Sequence, residues 1–302
     1  MSEPLLGEPV ECRARHEPIL RPGNTNCGGC GMSIGLNMLS RAVGNTPIQI
    51  VIPACCGIVT PGHFPYSAYG APVVASTFAS AAAVATGLAH VARLNGAETR
   101  VICWAGDGGT YDIGMATLSA AAERNEDILY ICYDNEIYGN TGGQRSSATP
   151  LGAVTTTTPR GKSLVKKDIL SIMAAHRIPY AASISLAHPE DTLRKMRRGL
   201  ETSGFSFLHI LSPCPTGWKS EPADGIELVR MAVSAGLFPI YEINGGGEVT
   251  INVEPDFSQE TLGAYFRLQG RFGKAPIDID LVRDSIRESW DRLLRLTPQG
   301  RL

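Results

Sequence analysis

Apolar residues fall into short blocks separated by longer amphipathic stretches, with turn residues at most junctions. Continuous apolar runs over 48–53, 100–105, 127–133, 180–183 and 205–211 are short and bounded, which predicts buried strands. Between them, helical spacing recurs over 31–43, 77–95, 112–124, 168–176, 189–203 and 223–235. This alternation predicts an α/β fold, a doubly wound and mainly parallel sheet covered on both faces. The alanine-rich helix over 77–95 suits tight packing against a neighbour. Residues 140–162 form a polar stretch of Thr, Ser, Gly and Pro, and a loop that long inside a compact domain is functional or disordered. Past residue 240 the pattern changes to a hairpin over 241–254 through Gly245-Gly246-Gly247, then an amphipathic helix over 279–296. The expected organisation is an arm over 1–24, a core domain over 25–240, and an extension over 241–302 that docks on a partner or on the core.

With 302 residues, 43% hydrophobic and 19% charged, the chain suits one large globular domain with an appendage. A formal net charge of −2 gives no reason to expect nucleic acid or an anionic membrane as partner. No apolar stretch reaches transmembrane length, and the first residues lack the zones of a secretory signal. A cytoplasmic location is expected. In that setting the eight cysteines point to metal binding, catalysis or core packing rather than disulfides.

Two strand ends carry the clearest chemistry. Gly106-Asp107-Gly108 follows the run over 100–105, and Asp134-Asn135-Glu136-Ile137 follows the run over 127–133. Glycines at a strand-to-helix turn let backbone N–H groups approach a phosphate. Asp107, with the amide and carbonyl oxygens of the second segment, offers hard ligands for Mg²⁺. A helix-length crossover between parallel strands puts the two ends side by side.

Cys27-Gly-Gly-Cys30, Cys55-Cys56 and Cys214 fall in loops expected at or near the same carboxyl edge of the sheet. Four thiolates there suit a zinc ion or an iron–sulfur cluster. Adjacent residues on extended chain point apart, so one of Cys55 and Cys56 takes part, and residue chemistry alone leaves either open. Cys103 and Cys132 lie inside apolar runs as core residues, and Cys12 in the arm is incidental.

Taken together, CGGCG (27–31), PACC (53–56), FPY (64–66), AGDGGTYDIG (105–114), YDNEIYGNTGGQRSSATP (133–150) and CPTGW (214–218) resemble one family. It is that of the beta subunits of 2-oxoacid:ferredoxin oxidoreductases, thiamine-diphosphate enzymes that include pyruvate synthase. The resemblance implies a thiamine diphosphate-binding, pyrophosphate-type domain over 25–240 and a 4Fe–4S cluster on Cys27, Cys30, Cys56 and Cys214. Cys56 is preferred over Cys55 by its distance from Phe64-Pro65-Tyr66, although Pro-Ala-Cys-Cys stands where the family commonly has Ala-Thr-Gly-Cys. The resemblance further implies Mg²⁺ on Asp107, Asn135 and the Ile137 carbonyl. It sets Gly106, Gly108 and Gly109 at the diphosphate, and Asn140 and Thr141 toward the cofactor's reactive end. Met32 stands where some relatives carry a polar cofactor contact.

The implied reaction is oxidative decarboxylation of a 2-oxoacid, with electrons passing to the cluster and the acyl group to coenzyme A. This chain lacks room for a second doubly wound domain and holds no two-cluster ferredoxin motif. The implied partners are therefore an alpha subunit carrying the pyrimidine-binding domain and its activating glutamate, with gamma and ferredoxin-like subunits. The rival reading is a non-redox thiamine-diphosphate decarboxylase or synthase subunit with a structural zinc site. A subunit that has lost catalysis would be expected to lack Asp107 or Asn135, and both are present. Among other residues, His63 and Arg145 are candidates for substrate or coenzyme A contact, beside the plainer reading of each as an ordinary loop residue. His90, His176, His188 and His209 are expected to be structural, Trp218 to pack over the Cys214 loop, and Lys166-Lys167 and Lys195 to Arg198 to lie on solvated faces or to form a docking surface for an acidic electron carrier.

Overall fold

In the computed structural model the described residues are 18–62, 65–245, 247–273 and 277–298. Eight strands form one sheet: β1 (Ile48–Pro53), β2 (Val73–Ser76), β3 (Arg100–Gly106), β4 (Ile128–Asp134), β5 (Tyr180–Ser185), β6 (Ser206–Leu211), β7 (Ile240–Asn244) and β8 (Val249–Val253). Their order is β2-β1-β3-β4-β6-β5-β7-β8. The first six in that order run parallel, and β7 and β8 close the edge antiparallel. The expected doubly wound, mainly parallel sheet is present. The helices are α1 (Gly31–Val43), α2 (Cys56–Val59), α3 (Ala81–Leu94), α4 (Met115–Glu123), α5 (Ile169–Ala175), α6 (Pro189–Glu201), α7 (Pro215–Trp218), α8 (Gly225–Ser234), α9 (Gln259–Arg267) and α10 (Ile279–Leu294).

Central strands bury both faces, which is why they are apolar runs rather than alternating ones. Val101, Cys103 and Ala105 of β3 face a core shared with α3, α4, α5, α8, α9 and α10. Ile102 and Trp104 face a second core, with α1 and α6. Cys103 and Cys132 are core residues as expected. Beyond residue 240, Leu262, Phe266, Val282, Ile286 and Trp290 pack into the first core, and β7 pairs with β5.

Three expectations are corrected. The helix expected over 112–124 starts later, as α4, and a π-helical turn, Gly108–Asp112, precedes it. The wide turn brings the Gly109 carbonyl so close to Gly114 that an added Cβ there would lie 1.9 Å from its oxygen, so only glycine fits. Lys195 is not solvated: it is fully buried on the inner side of α6, where Nζ donates to the Ser183 carbonyl at 3.0 Å and pairs with Asp191 at 2.7 Å. Lys166 is likewise drawn inward, 2.6 Å from Asp134 and 3.0 Å from Glu136, because those buried carboxylates need a counter-charge. The short edge strand β2 and helix α9 were not anticipated.

Candidate active site at the carboxyl edge of the sheet

Strands β1, β3, β4 and β6 are consecutive neighbours, so the segments that leave their carboxyl ends lie side by side. They supply Cys55-Cys56, Gly106 to Gly109, Asp134 to Ile137, and Cys214. The N-terminus of α1, with Cys27 and Cys30 just before it, reaches the same edge, where Gly31 N–H donates to the Pro213 carbonyl at 2.9 Å.

Asp107 is buried at the start of the π-turn. The Asn135 side-chain amide stands 2.9 Å from Asp107 Oδ1 and 2.8 Å from the Ile137 carbonyl oxygen. With its oxygen turned inward, three oxygens converge with no proton between them, an arrangement that a hard cation relieves. With its nitrogen inward, the amide donates to both. Burial and the nearby Asp134 charge push the Asp107 carboxyl well above the usual range, a penalty that a bound divalent cation would cancel. These residues therefore fit Mg²⁺. Next to them, an added Cβ on Gly108 would lie 2.2 Å from the Tyr138 ring, so glycine is required there by close approach.

A buried polar lattice holds this segment. Ser146 Oγ donates to Asp107 Oδ2, and Thr149 Oγ1 donates to the Glu136 carbonyl at 2.7 Å. Glu136 has a φ of 64°, in the left-handed region that a non-glycine residue occupies only under constraint. Its N–H donates to Asp134 Oδ1 at 3.0 Å, and its carboxylate pairs with Lys166 and, at 2.8 Å, with Arg271. Asp134 Oδ2 also accepts from Tyr111 at 3.0 Å and lies 2.8 Å from His209 Nε2. Burial opposes the charge on Asp134, but Lys166 and His209 overcome it and hold the carboxyl well below its usual range.

The described cysteines, seven in number, are all free. Burial first, and then charge on Cys56, Cys30 and Cys27, push the Cys214 thiol up to about 11, which marks the four sulfurs as neighbours. Cys56 is raised by burial and then by Cys30 and Cys27. Cys55 differs from Cys56: burial pushes its thiol up to about 11, and the charges of Cys27 and Cys30, which act on Cys56, are not among the causes. Its extended backbone, φ −167° and ψ −177°, forces the pair apart. Among the described residues no three His, Cys, Asp or Glu side chains converge as a single metal ion requires. Four cysteine side chains brought to one edge are the donor set that an iron–sulfur cluster uses.

Two connections join the oxygen site to the sulfur site. Trp218, in the turn after Cys214, donates its indole N–H to the Asn135 carbonyl at 2.9 Å, and the Arg271 guanidinium stacks 4.3 Å above its ring. Residues 138–144 form a small hairpin closed by Tyr138 N–H to the Gln144 carbonyl at 3.0 Å. Asn140 and Thr141 are exposed near its tip, and Asn140 Oδ1 lies 3.5 Å from Cys56 Sγ. Thr141 Oγ1 donates to Gln144 Oε1.

Arg145 is exposed, and His63, Phe64 and Cys12 lie outside the described residues. Residue chemistry along the chain had pointed to neither Ser146, Lys166 nor Arg271 as part of this site. The one available signal was the buried acid pair Asp134 and Glu136, which needs cations from elsewhere in the chain.

Residues 55–210 match the thiamine pyrophosphate enzyme family's C-terminal TPP binding domain. The ketoisovalerate oxidoreductase subunit VorB of Pyrococcus abyssi is 42% identical, over 91% of this chain and 92% of its own. The pyruvate synthase subunit PorB of Methanothermobacter thermautotrophicus is 40% identical, over 85% of this chain and 90% of its own. Among solved structures, 2-oxoglutarate:ferredoxin oxidoreductase from Magnetococcus marinus shares the fold, with a TM-score of 0.58 at 24% identity over 70% of this chain and 79% of that one. These relatives are oxidoreductase subunits, so the non-redox rival is not favoured. Among the described residues no helix is long and apolar enough to cross a membrane. The chain belongs to the thiamine pyrophosphate enzyme family, as the thiamine-binding beta subunit of a 2-oxoacid:ferredoxin oxidoreductase.

Proposed function

We propose that this subunit serves the CoA-acylating oxidative decarboxylation of a 2-oxoacid, with Mg²⁺–thiamine diphosphate on Asp107, Asn135 and Ile137 and a 4Fe–4S cluster on Cys27, Cys30, Cys56 and Cys214. The observation that carries this reading is the juxtaposition of an oxygen triad and four free thiols at one sheet edge, joined by the 138–144 hairpin. When bound, thiamine diphosphate supplies an electron sink for the decarboxylating carbon and the cluster a one-electron acceptor. The chain's part is positioning and charge. Asp107, the Asn135 side-chain oxygen and the Ile137 carbonyl hold the cation, and the backbone at Gly106, Gly108 and Gly109 gives the diphosphate close approach. Asn140 and Thr141 face the reacting end.

In this reading residues 25–240 form the cofactor-binding unit and 241–302 an extension that braces the core and meets a partner; of the arm expected over 1–24, residues 1–17 lie outside the described residues. An alpha subunit supplies the pyrimidine-binding domain and activating glutamate, while gamma and ferredoxin-like subunits carry electrons onward in the cytoplasm. Among the described residues the cysteines are free rather than paired, which supports a reducing compartment.

The test is anaerobic reconstitution of the complex, assayed with 2-oxoacids, coenzyme A and a viologen dye. Pyruvate and ketoisovalerate come first, because relatives are named for them. Dye reduction by the complex, none by the isolated chain, and a band near ~400 nm that bleaches with dithionite are expected. A colourless protein, or turnover by the isolated chain, would refute the proposal.

A further inference from the structure

The 3.5 Å contact between Asn140 and Cys56 Sγ joins two segments that are distant in the chain. Asn140 is carried near the tip of the 138–144 hairpin, and that hairpin begins beside Ile137, whose carbonyl belongs to the oxygen triad. The hairpin is stiff. Tyr138 N–H and Gly143 N–H close it at 3.0 Å each, and the Tyr138 hydroxyl donates to Asp112 Oδ2 at 2.8 Å. Its base therefore moves with the cation site while its tip touches sulfur.

A protonated Cys56 thiol donates to Asn140 Oδ1 in this geometry. A sulfur bound to a metal would be an acceptor only, and rotation of the amide at the same distance would present an N–H to it. Two other sulfurs of the set have donors as well: Gly217 N–H lies 3.3 Å from Cys214 Sγ, and Thr216 Oγ1 lies 3.8 Å from Cys27 Sγ. Those two donors ride on the Cys214 turn itself. Asn140 alone of the three comes from the segment that also builds the oxygen site.

We infer that Asn140 is a positioning residue that donates an N–H to Cys56 and sets the reduction potential of the group held by the four thiolates, in register with the cation site. This rests on the cluster reading above. A donor on sulfur stabilises the more negative, reduced state, so the bond raises the potential and its loss lowers it.

The experiment is an EPR-monitored redox titration of the reconstituted complex in three forms: unaltered, Asn140→Leu and Asn140→Gln. Asn140→Leu is expected to shift the one-electron equilibrium about tenfold toward the oxidised state, about 59 mV. Asn140→Gln keeps the amide and is expected to recover most of that shift. Loss of iron from the Leu variant with retention in the Gln variant also supports the bond. Equal potentials in all three forms, or equal disturbance in both variants, overturn the inference while leaving the cluster reading intact. If the unaltered complex gives no iron–sulfur signal, the cluster reading fails, and this inference with it.

Discussion

Trp218 donates its indole N–H to the Asn135 carbonyl at 2.9 Å, so the turn that begins at Cys214 is tied directly to the segment that carries Asn135 and Ile137. The bond crosses from the end of β6 to the end of β4, two strands that are neighbours only in the folded sheet. It makes the oxygen and sulfur sites parts of one rigid edge.

Trp218→Phe keeps a ring under Arg271 but removes the donor. The lost bond is expected to cost about 1 kcal/mol of stability. Because the Asn135 backbone is then less firmly held, Mg²⁺ affinity in the presence of thiamine diphosphate is expected to fall about tenfold. Urea unfolding and calorimetric titration measure the two effects, and an unchanged affinity would separate the two sites.

Asp107→Asn removes a carboxylate that burial and Asp134 already disfavour. The unliganded protein is expected to keep its thermal stability. What disappears is the stabilisation by Mg²⁺–thiamine diphosphate, about 2.7 kcal/mol at a hundredfold excess over Kd for the unaltered chain. Thermal unfolding with and without the ligand pair decides it, and a preserved ligand shift would remove Asp107 from the cation site.

Cys55 and Cys56 are adjacent but expected to behave oppositely. Cys56→Ser removes a sulfur facing Cys27, Cys30 and Cys214, and iron content should fall with the absorption near ~400 nm. Cys55→Ser changes a buried sulfur beside Tyr133, and the iron should stay. Iron analysis of the two variants is the check, and the reverse outcome would reassign the ligand.

Lys162 anchors the polar loop through the Ser147 and Thr149 carbonyls. Burial, then the charges of Arg145 and Lys166, push its ammonium down to about 8, against the opposing pull of Glu136 and Asp112. An unfolded lysine titrates near ~10.4. Between those values the unfolded chain holds the proton that the folded one has released, so this lysine's contribution to stability rises with pH. Lys166, raised rather than lowered, loses its contribution only above the unfolded value. Unfolding midpoints from pH 7 to 10 should rise less steeply in Lys162→Met, and parallel curves would contradict the assignment.

The chain's own pattern determined the parallel α/β frame and the two strand ends that carry Asp107 and Asn135. Strand ends are local features: an apolar run, a glycine turn and an oxygen-bearing side chain are all written consecutively. The same holds for the cysteine loops, each bounded by Gly or Pro. The π-turn at Gly108–Asp112 was not legible, because helical periodicity over so few residues does not distinguish a wide turn from the start of an α-helix.

Tertiary structure alone decided which vicinal thiol faces the others, because one extended dipeptide offers both sides and only its neighbours choose between them. It also decided that Arg271 and Lys195 are interior and that half-buried Lys166 turns inward. Charge predicts exposure until a buried carboxylate supplies a partner, and Glu136 meets Arg271 only because the C-terminal segment folds back over the sheet edge. Pairings between segments far apart in the chain are set by packing geometry, which no local window of residues records.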